Sequence, residues 1–184
     1  MADVKFKTID RGKLRIEREL KIASGKVALV GIPGDAKLPK PSESGTVNNL
    51  AELAFILEKG STVNKIPARP FMRQTREKAE SKFQKLLARF CKAIVSGKTT
   101  SNKALARLGE AYEGEMKEIF TTGNFAPNAP ITIHGGWMRN KVSGKVFKVK
   151  GKESSRPLID TSHLRQSIIH KVTKISKHSR TVEI

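Results

Sequence analysis

The clearest pattern in the chain runs from Met72 to Ser96. Met72, Thr75, Ala79, Phe83, Leu86, Leu87, Phe90 and Ile94 fall on one stripe at three- and four-residue steps, and Arg and Lys fill most other positions. That period predicts a long amphipathic helix, ended by Gly97. Leu105, Leu108, Tyr112, Met116 and Ile119 mark a second helix from about 102 to 121, with Ser101 or Asn102 placed to cap it. The two stripes predict an antiparallel helix pair joined by residues 97–101.

The other elements are shorter. Leu14, Ile16, Leu20 and Ile22 predict a helix over 10–23, broken by Ser24-Gly25. Lys26 to Ile32 reads as a short buried strand stopped by Pro33-Gly34. Asn49 to Gly60 fits either a helical face or a strand; a short helical turn feeding a strand that ends at Gly60 is the favoured reading. Ile131 to His134 and Lys145 to Lys150 read as brief strands, with Gly135-Gly136, Ser143-Gly144 and Gly151 as breakers around the second, Ser162 to Ser167 as a short helix capped by Asp160 and Thr161, and Ile168 to Ile175 as a strand. The fold class expected is α+β. A small, mostly antiparallel sheet packs against the long helix and the second helix, within a single domain over 1–184. Extended arms or loops are expected at 35–48 and 123–156. The first is rich in Pro, Lys, Ser and Gly, and residues 139–156 carry seven basic residues and one acid.

Between Gly60 and the long helix stands Ile66-Pro67-Ala68-Arg69-Pro70-Phe71. Each proline fixes its own φ and drives the preceding residue towards an extended conformation. The stretch therefore reads as a stiff elbow joining a strand-like element to the helix, with Phe71 plugging into the core. Arg69 beside it either braces its own subunit or faces a partner.

Charge sharpens the picture. The net charge is +19, of which residues 65–100 carry +8 and residues 131–184 carry +9. Such a field attracts nucleic acid or an acidic protein surface, or serves solubility alone, and charge by itself does not choose. The single cysteine, Cys91, excludes a disulfide within the chain and fits a reducing cytosol; it is expected to pack as an inert thiol. No apolar run approaches the roughly 20 residues of a membrane span, and no signal peptide is evident.

Candidate chemistry is thin. His134, His163, His170 and His178 lack metal-ligand spacing, so neither metal nor cofactor is expected. Gly31-Ile32-Pro33-Gly34 lacks the Lys-Ser/Thr of a phosphate loop. Asp160-Thr161-Ser162-His163 contains triad-type residues, but capping explains Asp160 more simply. The chain reads as a non-enzyme. Trp137 and Phe147 are the aromatics in basic surroundings that bear on nucleic-acid binding.

Two stretches resemble a known group. Ile66-Pro67-Ala68-Arg69-Pro70-Phe71-Met72-Arg73, after Leu57-Glu58-Lys59-Gly60, resembles a signature of tailed-bacteriophage neck and tail-completion proteins. Pro157-Leu158-Ile159-Asp160-Thr161-Ser162-His163-Leu164-Arg165-Gln166-Ser167-Ile168 resembles a segment of phage virion-morphogenesis proteins, with Ser162 where that pattern usually has Gly. The resemblance implies a virion protein, made in the host cytoplasm, that forms a homo-oligomeric ring at the head–tail junction. Its implied partners are other neck, connector, tail-terminator or tail-tube proteins, with packaged DNA in the channel. Carried onto this chain, the implied assembly residues are Pro67, Arg69, Pro70, Phe71, Arg73, Asp160, Thr161, Leu164 and Arg165. Lys145, Lys148, Lys150 and Lys152 are candidates for contact with DNA or an acidic surface. The alternative is a basic nucleic-acid-binding protein.

Overall fold

A computed structural model of the chain describes residues 12–38, 47–63, 65–140, 143–151, 153 and 162–175. Among these, six helices and four strands make an α+β fold with two small antiparallel sheets. The long pair is α3 (Phe71–Val95) and α4 (Ser101–Thr122), preceded by α1 (Lys13–Ser24), β1 (Lys26–Gly31) and α2 (Leu50–Lys59). After α4 come α5 (Pro130–His134), β2 (Gly135–Arg139), β3 (Val146–Lys150), α6 (Ser162–Gln166) and β4 (Ile169–Lys174).

α3 and α4 pack antiparallel, as their stripes require. Phe83 and Tyr112 meet with ring centroids 4.7 Å apart, Lys82 pairs with Glu115, and Lys78 lies 3.6 Å from Glu118. β1 and β4 pair from Lys26–Lys174 to Gly31–Ile169, and this two-stranded sheet lies on α4. Gly109 lets α4 and β4 approach closely: a Cβ there would stand 3.1 Å from the His170 side chain. The core draws Leu50 and Ala54 from α2, Phe71 from α3, and Met116, Ile119 and Phe120 from α4. Leu164 and Ile168 complete it from the α6–β4 side.

The turn between the long helices is built on helix-end chemistry. Gly97 takes φ +79°, and Lys98 N–H donates to Ala93 O while Gly97 N–H donates to Ile94 O, closing α3 in a Schellman motif. Arg15 and Glu19, one turn apart on α1, straddle this corner. The Arg15 guanidinium donates to Ile94 O at 2.8 Å and Val95 O at 2.6 Å, and the Glu19 carboxylate accepts from Ser101 N–H at 2.7 Å. A cation thus meets the carbonyl end of one helix and an anion the amide end of the next, each the favourable sign. The α4 cap is Thr100, whose hydroxyl accepts from Lys103 N–H, rather than Ser101 or Asn102. Cys91 is exposed, not packed, because it lies off the apolar stripe.

Residues 50–59 form one helix and no strand, so the elbow joins two helices. Local capping decides this: Asn49 Oδ1 accepts from Glu52 N–H at 2.8 Å, and the Glu52 carboxylate accepts from Asn48 N–H at 2.8 Å. Residues 131–134 are likewise helical, not extended, because Pro130 at the first position presets the helical φ. The region 123–156 is not an extended arm throughout, since it holds α5 and the β2–β3 hairpin. Gly135 and Gly136, expected as breakers, sit inside β2. At Gly135 φ is +77° and a Cβ would lie 2.7 Å from Gly151 N, so only glycine lets β2 approach so closely. The flanks of the 35–48 loop are tied, with Leu50 N–H donating to Ala36 O at 2.9 Å and a bridge between Lys37 and Asn49; residues 39–46 lie outside the described residues.

Candidate functional site

The elbow is a built object. Ser61 and Ile66 exchange backbone hydrogen bonds at 2.8 Å and close the turn that follows α2. At Gly60 φ is +76°, and a Cβ would lie 2.8 Å from Ala68 N, so the returning chain needs glycine there. Pro70, at φ −77° and ψ 73°, makes an inverse γ-turn in which Phe71 N–H donates to Arg69 O at 2.8 Å. Arg69 N–H donates to Leu57 O at 2.6 Å, satisfying a carbonyl at the end of α2. Glu58 then caps α3, its carboxylate accepting from Met72 N–H at 2.9 Å and Arg73 N–H at 3.1 Å. This role of Glu58 escaped the sequence reading. A carboxylate at the end of the helix before a Pro-flanked helix start is the signal that points to it.

Arg69 turns inward. It is 8 % exposed, and its guanidinium donates to Ala126 O at 3.0 Å, Pro127 O at 3.1 Å and Asn128 Oδ1 at 3.3 Å. These acceptors all lie on the segment after α4. Burial lowers the pKa of the guanidinium, and three carbonyl dipoles hold the charge in place of a carboxylate. Of the two roles open to Arg69, it performs the internal brace. Phe71, fully buried, meets Phe120 in a tilted pair with ring centroids 4.9 Å apart. Of the remaining elbow candidates, Pro67 and Arg73 are exposed and Pro70 is half-buried.

The second candidate segment meets the first in the core. Leu164 is 2 % exposed and Ile168 fully buried, in one cluster with Phe71, while Arg165 is exposed. Asp160 and Thr161 lie outside the described residues. The strand that follows is locked to α4: His170 Nδ1 and Glu113 Oε2 stand 2.6 Å apart, and Lys117 pairs with the same carboxylate.

The basic candidates gather on the β2–β3 hairpin. Trp137 pairs with Lys148 and Gly135 with Lys150, so by alternation Trp137, Arg139, Lys148 and Lys150 share one face. Trp137 is 69 % exposed, and Arg139, Lys148 and Lys150 are exposed beside it; the opposite face carries Met138, Phe147 and Val149. Lys145 is exposed at the turn, and Lys152 lies outside the described residues. No Asp or Glu occurs between Glu118 and Glu153. An indole surface ringed by cations suits a polyanion with flat rings, since it offers stacking and phosphate contact together.

Among the described residues, no group of three or more His, Cys, Asp or Glu stands close enough to hold a metal ion. No described helix is long and apolar enough to cross a membrane. The chain matches no family model, no curated protein and no solved structure.

Proposed function

We propose that this chain is a structural subunit of the bacteriophage head–tail junction, a neck or tail-completion protein that assembles into a ring between head connector and tail. The supporting observation is the convergence of the two resembling segments. Phe71 from the first and Leu164 and Ile168 from the second lie in one core, as parts of a single scaffold would. Within the first segment Glu58 caps, Gly60 permits a close approach, Arg69 braces and Phe71 packs. Among the described assembly candidates of these segments, exposed Pro67, Arg73 and Arg165 are then the ones left to touch neighbours. Neighbouring copies and other neck, connector, tail-terminator or tail-tube proteins are the partners, with no catalysis. The protein, made in the host cytoplasm, ends in the virion.

Silencing the gene in its phage tests this. Filled heads and separate tails should accumulate, and gold-labelled antibody should mark intact particles at the junction. Joined, infective particles in the silenced phage would overturn the reading.

The hairpin favours a second reading, a nucleic-acid-binding protein. Trp137 is the only tryptophan, so its fluorescence reports the hairpin directly. Quenching by single-stranded DNA, with affinity falling steeply as salt rises, favours this reading; weak binding without quenching favours the first.

A further inference from the structure

Two surface features at opposite ends of α3 complement each other. The first is on α2. Phe55 is 65 % exposed, and Glu52 and Glu58 stand one turn before and one turn after it on the same helix face. Both carboxylates are held in place, Glu52 by Asn48 and Glu58 by the amides of Met72 and Arg73. The result is an apolar knob between two fixed negative charges, with exposed Lys59 also one turn after Phe55.

The second feature is a groove of about 710 Å³ where the end of α3 meets the start of α4. Half-buried Leu86, Phe90 and Ala93 line it with apolar surface. Exposed Arg89, Lys92, Lys98 and Arg107 also border it, and no carboxylate does. Among the described residues none of these four cations pairs with an acid.

The knob and the groove do not meet within one copy. Glu58 binds the first turn of α3, and Phe90 lies 18 residues after Met72, about 27 Å along the helix at 1.5 Å per residue. We propose that they meet between copies, with the Phe55 knob of one subunit seated in the cationic groove of the next. A second copy is the occupant because the chain carries both halves, matched in charge and in apolar character. Different patches on the two partners make the contact heterologous, and such a contact repeats into a ring or an open filament. The inference rests on the ring assembly proposed above and names its interface.

Sedimentation velocity on the full chain at about 0.15 M salt tests it, because at that ionic strength the long-range repulsion of a strongly cationic chain is largely screened. Wild type should associate as its concentration rises to about 100 µM, well within the reach of a weak protein interface. Phe55→Ala and Arg89→Glu change exposed side chains, so each should keep the wild-type circular dichroism melt yet associate at least tenfold more weakly. Mixing the two variants should give a heterodimer and nothing larger, because one intact knob then meets one intact groove. Either variant assembling like wild type overturns this interface and leaves the ring reading standing. A wild type that stays monomeric throughout also overturns it, while gene silencing in the phage still decides the reading on which it rests.

Discussion

The Nε–H of Arg69 donates to the carbonyl of Ala126 at 3.0 Å, fastening the entry to α3 onto the segment that leaves α4. Removing the guanidinium takes a charged donor away from that carbonyl, from Pro127 O and from Asn128 Oδ1, and leaves a vacated site. Each lost hydrogen bond to a charged donor costs about 1.5–3 kcal/mol, less where water replaces it at these partly exposed acceptors. Arg69→Ala should therefore lower stability by about 2–4 kcal/mol and the melting temperature by roughly 5–10 °C. Arg69→Lys should recover only part of this, since an ammonium lacks the planar fork. A melt unchanged in Arg69→Ala would rule out the brace. Charge reversal at Arg69 tests folding before it tests assembly, whereas exposed Arg73 is the cleaner probe of a partner.

Phe71 is fully buried against Phe120, at the point where both sequence landmarks enter the core. Phe71→Ala leaves a cavity beside Phe120, in the cluster that also holds Leu164 and Ile168, and should cost about 3–5 kcal/mol, read from the urea midpoint. Phe71→Leu, which retains much of the volume, should cost well under half as much.

Two glycines in α4 should respond in opposite directions. At Gly114 a Cβ meets nothing within 4 Å, so Gly114→Ala gains helix propensity and should stabilise by about 0.5–1 kcal/mol. At Gly109 the same methyl presses on His170, which the Glu113 carboxylate holds in place. There overpacking exceeds the propensity gain, and Gly109→Ala should destabilise by about 1 kcal/mol net. Thermal melts of the pair decide it; equal shifts of one sign would refute the close approach of β4.

Acid should loosen the fold through carboxylates with lowered pKa values. Burial raises the Glu113 carboxyl, but hydrogen bonds from Lys117 and His170 outweigh it and hold the group below 4.5; hydrogen bonds from Ser101 likewise lower Glu19. The unfolded chain then binds more protons than the folded one as pH falls from about 4.5. This stabilisation is complete above the ordinary carboxylate range and fades as pH drops through the lowered folded values. Glu113→Gln should cost about 1 kcal/mol at pH 7, and its urea midpoint should approach that of wild type at pH 3. A deficit independent of pH would refute the ionic origin.

Much of the frame was legible along the chain. The α3–α4 pair, the β1 and β4 strands, the short α6 helix and the placement of Phe71 follow from apolar spacing and from Pro and Gly punctuation, which act locally. The misread stretches have separate causes. At 50–60 apolar spacing satisfied both periods, and the capping contacts of Asn48 and Asn49 with Glu52 chose the helix. At 131–139 the glycines looked like breakers until a facing strand made their missing side chains necessary.

The order of residues therefore determined which segments coil, which extend and where the stiff elbow falls, because those choices depend on neighbours a few positions away. It did not determine what the elbow holds. That Arg69 faces inward to Ala126, that Glu58 caps α3 and that Trp137 shares a face with Lys148 were decided only by the tertiary fold. Each joins groups from separate segments, and burial and hydrogen-bond satisfaction act between such groups only once packing has brought them together.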